Sequence, residues 1–156
     1  MAILLPVTTF AQIAEDRVKA MWVYTLIPYI TWPNADKIPT ICTRGLDGVH
    51  DALLEIKEEK KSDFNIKEIG TQPINGECQV LYIANSEESN LFGILKQTKG
   101  KPILTVSNLL GFAEHDGIIE FIRSGKGVKL RINISTTKQA GLTVNSDLLG
   151  VSEVVE

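Results

Sequence analysis

The stretch "CQVLYIANSEESNLFGILKQTKGKPILTVS", Cys78–Ser107, sets the fold class. Its first seven residues are apolar enough for a strand buried on both faces. Ser86 then predicts a helix start. Glu87 and Glu88 would lie in the first turn, where acids suit the helix dipole. Leu91, Ile94 and Leu95 give that helix one inner side. "PILTVS" is a second buried strand. Strand, helix and strand in this order predict a parallel pair joined by a crossover.

Upstream the same grammar repeats. "TICTR" (Thr40–Arg44) predicts a strand, and Gly45 and Gly48 frame a turn. A helix over Val49–Lys61 follows, with Val49, Leu53 and Ile56 inward. "FNIKEI" alternates like a strand. Downstream, Val128, Leu130, Ile132 and Ile134 alternate with Lys129, Arg131 and Asn133. With "GIIEFIRSGKG" before them they predict an antiparallel hairpin. A short helix is expected over Thr136–Ala140, stopped by Gly141. The sum is an α/β fold: a three-layer, Rossmann-like domain with a mixed, mostly parallel sheet and an antiparallel edge hairpin.

The first long helix, Ile13–Ile30, is apolar on every side, and Lys19 is its only charge between Val18 and Ile30. Two readings fit. Either the helix is sandwiched inside its own domain, or Trp22, Val23, Leu26 and Tyr29 also form a dimer or partner surface. Pro28 should end or kink it.

Composition narrows function. The 156 residues are 44% hydrophobic and 22% charged, with net charge −3, as in an ordinary globular protein. Basic residues are scattered, so nucleic acid is not an expected partner. "MAILLPVTTFAQ" is uncharged, and small residues at Thr9 and Ala11 suit a signal-peptidase cut after Ala11. The alternative is an N-terminal strand. Export would place Cys42 and Cys78 where a disulfide is favoured; in the cytosol they would be two buried thiols.

The catalytic templates fail. No G-x-G-x-x-G occurs, and Asp47 in "RGLDG" would repel a pyrophosphate. Ser107 lacks a nucleophile elbow. His115 lies in a polar loop between Glu114 and Asp116, where solvation explains it. Neither histidine is spaced with the cysteines for zinc. The expectation is no enzyme, no cofactor and no metal.

Several segments together resemble YfiR-type proteins. "VKAMWVYTLIPYITWP" is similar to their "VKAAFLYNFAKFVEWP". The stretch from Cys78 to Phe121 resembles their "CHILFI…SE…ILxxL…PVLTVSDxxGFAxxGGxI". "KLRINISTTKQAGLTVNSDLLGVSEVV" resembles "RFEINLxAAxxAGLxISSxLLxLAxxV". Lys57–Asn75 departs most, with no "GR" element.

The resemblance implies residues 1–11 as a signal-peptide remnant and 12–156 as one YfiR-like domain. It implies a dimeric periplasmic protein, soluble once the signal peptide is removed. Its task would be to hold an inner-membrane diguanylate cyclase, or another sensor protein, inactive through its periplasmic domain. Cyclic-di-GMP output and biofilm formation would fall. The competing expectation is a periplasmic small-molecule sensor or carrier acting with a sensor kinase or transporter.

The resemblance also pairs Cys42 with Cys78. A bridge closing some 36 residues is worth roughly 3–4 kcal/mol on chain entropy. A contact rim for partner or ligand is expected beyond the strand ends, at Ser107, Asn108, Phe112, Glu114 and His115.

Overall fold

A computed structural model describes residues 10–34, 36–125 and 127–156. The expected signal-peptide remnant, residues 1–11, falls largely outside them; only Phe10 and Ala11 are described, in the first turn of a helix.

In chain order the elements are α1 (Phe10–Leu26), β1 (Ile30–Thr31), β2 (Thr40–Arg44), α2 (Val49–Lys60), β3 (Asn65–Glu68), β4 (Val80–Ile83) and α3 (Leu91–Thr98). Then come β5 (Leu104–Ser107), β6 (Ile119–Ser124), β7 (Gly127–Asn133), α4 (Ile134–Gln139), β8 (Thr143–Val144), α5 (Ser146–Gly150) and β9 (Glu153–Val155). Every residue of β4 and β5 is buried, as their apolar runs predicted.

The sheet runs β3-β2-β4-β5-β6-β7-β9. β3, β2, β4, β5 and β6 are parallel neighbours, and β7 turns back antiparallel to β6. The hairpin stands toward that edge as expected, and β9 adds a short strand outside it, parallel to β7. A second small sheet pairs β1 with β8 antiparallel.

Two apolar layers flank the main sheet. On one face, Ile41, Val80, Tyr82, Leu104, Val106, Ile119, Phe121, Leu130 and Ile132 meet α1 and α2. On the other, Cys42, Leu81 and Ile83 meet Ile94 and Leu95 of α3 and the loop residues Leu109 and Phe112. Cys42 and Cys78 are bonded there, with Cα atoms 5.6 Å apart.

Pro28 ends the first helix as expected, while other local details depart from expectation for identifiable reasons. α1 ends at Leu26, and Ile27–Tyr29 tighten into a 3-10 turn. Pro28 lacks an N–H, and its ring clashes with the preceding turn's carbonyl, so the α-helix cannot continue. Ser86 does not cap a helix. Asn85–Asn90 form a 3-10 segment before α3, and the Ser86 hydroxyl accepts a hydrogen bond from Leu46 N at 2.7 Å. α4 begins earlier than expected because Asn133 is its cap, accepting from Thr136 N at 2.9 Å.

α1 also inverts the usual arrangement of charge. Asp16 and Lys19 are buried and lie 3.5 Å apart. Asp16 accepts hydrogen bonds from Gly48 N at 3.1 Å and Gln12 Nε2 at 3.2 Å, which offset its desolvation. The exposed residues Ala14, Val18 and Thr25, the half-buried Trp22 between them and Tyr29 in the turn beyond carry no charge.

Candidate functional site

Numbered by chain order, the five parallel strands stand 2-1-3-4-5. Sheets of this kind bind ligands beyond their carboxyl ends, where the order reverses. Here that point lies between β2 and β4, and the loops Gly45–Gly48 and Ala84–Ser86 meet over it.

The chain's own side chains fill it. Gly45 has φ +103°, and a Cβ there would sit 2.7 Å from Ala84 Cβ and 2.8 Å from Ser86 Oγ. The Tyr82 hydroxyl donates to Asp47 Oδ2 at 2.7 Å, while Asp47 Oδ1 accepts from Val49 N at 3.0 Å. Burial, then the charge of Asp47, push the Tyr82 phenol far above its ordinary range. Asp16 and Asp47 at this crevice would repel a phosphate.

A lateral register line crosses the sheet just below these loops. Arg44 pairs with Ile83, Ile83 with Ser107, Ser107 with Glu120, Glu120 with Arg131, and Arg131 with Glu153. Paired residues in neighbouring strands share a face. One row therefore brings a serine, two arginines and two glutamates together from five separate strands.

Most of that chemistry is already engaged. Ser107 is wholly buried; its Oγ donates to Ile83 O at 2.7 Å and accepts from Leu109 N at 3.1 Å. Glu120 is buried and clasps the next loop: Oε1 accepts from Ala113 N at 2.9 Å and Oε2 from Gly111 N at 3.3 Å. Arg131 Nη1 donates to the same Oε2 at 3.4 Å, and Arg131 Nε to Glu153 Oε1 at 3.0 Å. The Glu153 hydrogen bond does most to raise the guanidinium pKa, with the charges of Glu120, Glu153 and Glu114 adding to it against partial burial. Asn133 Nδ2 donates to Ala113 O at 2.7 Å and closes the clasp. Arg44 Nε and Asn108 Oδ1 are buried without a hydrogen-bond partner among the described residues; Glu87 Oε1 lies 3.7 Å from that Nε.

The expected rim is therefore revised. Ser107 and Phe112 are buried and offer nothing to a partner. Phe112 packs so closely that its ring occupies the space a Cβ on Gly117 would need. Asn108 is half-buried, while Glu114 and His115 are exposed. His115 is not paired with Ser107; its Nδ1 donates to Gly111 O at 2.7 Å.

The helix face is revised in the same way. Val23 and Leu26 point into the core, Trp22 is half-buried, and Tyr29 is exposed. Leu46, Phe92 and Leu110, which sequence reasoning passed over, stand outside at this end of the sheet. Their apolarity was visible, but only the burial of their neighbours identifies them. Among the described residues no group of three or more His, Cys, Asp or Glu could hold a metal.

The "LTVS…GFA" segment, one of those that resemble YfiR-type proteins, is the strand and loop that Ser107 and Glu120 brace. Residues 16–153 match the model of the YfiR/HmsC-like family. The chain belongs to that family. YfiR/HmsC-like proteins are regulatory rather than catalytic. No curated protein matched the chain. Among the described residues, no helix is long and apolar enough to cross a membrane.

Proposed function

We propose that this YfiR/HmsC-like chain is an exported regulatory binding protein. In the periplasm it holds an inner-membrane signalling protein, a diguanylate cyclase, in its inactive state. Cyclic-di-GMP output and biofilm formation fall as a result. Such a repressor works by binding one state of its target more tightly than the other, which calls for surface rather than a reactive cavity. The observation that carries this reading is the closure of the sheet's carboxyl end, where Ser86, Asp47, Ser107 and Glu120 are all spent on the chain's own backbone or side chains.

The uncharged stripe of α1 and the turn beyond it, with Trp22 and Tyr29, supports a homodimer, since it can face its own copy without like-charge repulsion. Deleting the gene should raise cyclic-di-GMP, and the purified protein should retain the cyclase's periplasmic segment. Unchanged nucleotide together with no retained cyclase would overturn the assignment. Trp22→Glu should convert the dimer to a monomer in light scattering.

A second reading, a small-molecule sensor or carrier, is favoured by one feature. A groove of about 480 Å³ runs beside α3, lined by Leu91, Phe92, Leu95, Ile103 and Ile118, with Lys96 at its edge. A thermal-shift screen of amino acids, vitamins and cell-wall fragments with no hit would remove it.

A further inference from the structure

We infer that the carboxyl end of the sheet is a protein-docking face, and that its partner presents Lys and Arg around an apolar recess. This rests on the regulatory-binding reading above and names the surface that does the binding. Three large apolar side chains stand there almost fully exposed: Leu46 at 86%, Phe92 at 84% and Leu110 at 95%. Leu46 and Leu110 sit in the loops that leave β2 and β5, and Phe92 in the first turn of α3, the helix that follows β4; these three strands are adjacent in the sheet. Exposed apolar residues scattered singly need no explanation, but three beyond neighbouring strand ends are not scattered.

Each of the two leucines sits on a braced loop. Leu46 N is held by Ser86 Oγ at 2.7 Å. Leu110 lies beside Gly111 and close to Ala113, whose N–H groups Glu120 grips. Apolar groups held in place before binding lose little conformational freedom on docking.

Charge selects the partner. The connecting residues Gly45–Gly48, Ala84–Asn90 and Asn108–Ile118 contain Asp47, Glu87, Glu88, Glu114 and Asp116, and neither lysine nor arginine. Arg131 and Arg44 answer Glu114 and Glu87, and Arg123 is matched by Glu15 at 3.2 Å, which leaves Asp47, Glu88 and Asp116 against the exposed Lys96 and Lys129. An anionic lipid surface is repelled by such a face, and so is the same face of a second copy. The opposite end of the sheet is mixed, with Lys37, Lys61, Lys99 and Lys101 exposed beside Asp36, Asp63 and Glu77. Head-to-tail pairing of copies through that end would be heterologous, giving a ring or a growing chain rather than a two-fold dimer. A basic, apolar-centred face on another protein satisfies both the knobs and the carboxylates.

The test is site-specific photocrosslinking in cells, with p-benzoylphenylalanine placed at Leu110 and, for comparison, at Thr25 on α1. The Leu110 probe should join to the extracytoplasmic part of a membrane protein, within a peptide carrying Lys or Arg. Adding Leu46→Ser should lower the yield about tenfold. Glu88→Lys with Asp116→Lys should lower it severalfold, with the thermal midpoint unchanged in both variants.

A Leu110 probe that joins only lipid, only a second copy, or nothing overturns the inference, as does a yield indifferent to the charge reversals. Cyclic-di-GMP in the same cells separates the two claims. If deletion raises the nucleotide while Leu110 captures no protein, only the docking face falls. If Leu110 captures a basic protein while deletion leaves the nucleotide unchanged, the cyclase assignment falls and the docking face stands.

Discussion

The two faces of the sheet are held by different physics. Under α1 and α2 the contact is an almost unbroken apolar layer, Ile41, Val80, Leu104, Val106, Ile119 and Leu130 among its members. Burial of this kind is non-directional and scales with area. Under α3 and the Asn108–Gly117 loop the apolar layer is smaller. Directional devices complete it: the Cys42–Cys78 bridge, and Glu120 gripping a loop through two N–H groups and an arginine. The first face should forgive changes of shape that conserve volume, while the second should fail at single atoms.

The largest effect should come from removing the bridge. Cys42→Ala with Cys78→Ala frees a 36-residue separation in the unfolded chain, worth about 4 kcal/mol on chain entropy. Urea unfolding should report that loss, and hydrogen exchange should quicken first along β2 and β4. A loss below about 1 kcal/mol would mean that α3 holds its face without help.

Next comes a matched pair of near-isosteric substitutions. Glu120→Gln keeps the shape but turns an amide toward two N–H donors and removes the charge facing Arg131, at a cost of about 2–3 kcal/mol. Leu53→Met on the wholly buried side of α2 should cost less than about 1.5 kcal/mol. Equal costs by urea unfolding would erase the distinction between the faces. Gly117→Ala tests the clasp sterically. Its methyl must displace the buried Phe112 ring, for a loss of about 1–3 kcal/mol, read as a lower thermal midpoint with the Leu53 side of the core unaffected in exchange.

The same difference decides what could be read without a structure. Burial leaves periodic traces, so β2, β4, β5, the hairpin and the inward stripe of α2 were all legible. Directional contacts leave none. Arg44, Ser107, Glu120, Arg131 and Glu153 are far apart in the chain, and only strand register lines them up. Ser107 looked available because its acceptor, Ile83 O, is a backbone atom on another strand. The two-residue strands β1 and β8 are too short to show a period. Asp16 and Lys19 defeated the rule that charges face water because they satisfy each other and Gly48 N.

Tyr82 is a further directional contact on the apolar face, and its ionisation matters only in alkali. Its phenol is buried, hydrogen-bonded to Asp47 and raised well above the ordinary value near 10. A folded-state pKa above the unfolded one favours the protonated form, so the associated stability is complete below about pH 10 and declines as pH rises beyond it. In that range the unfolded chain ionises its tyrosine and the folded chain does not, a difference of about 1.4 kcal/mol per pH unit. Other groups titrate there as well, so the useful quantity is the gap between the native chain and Tyr82→Phe. Near pH 7 the native chain should be about 1 kcal/mol more stable, through the Asp47 hydrogen bond. Between pH 10 and 11 that lead should vanish or reverse. A gap that stays constant across this range would mean that Tyr82 ionises as readily in the folded protein as in the unfolded one, and that the apolar face admits water at the very end where the docking loops begin.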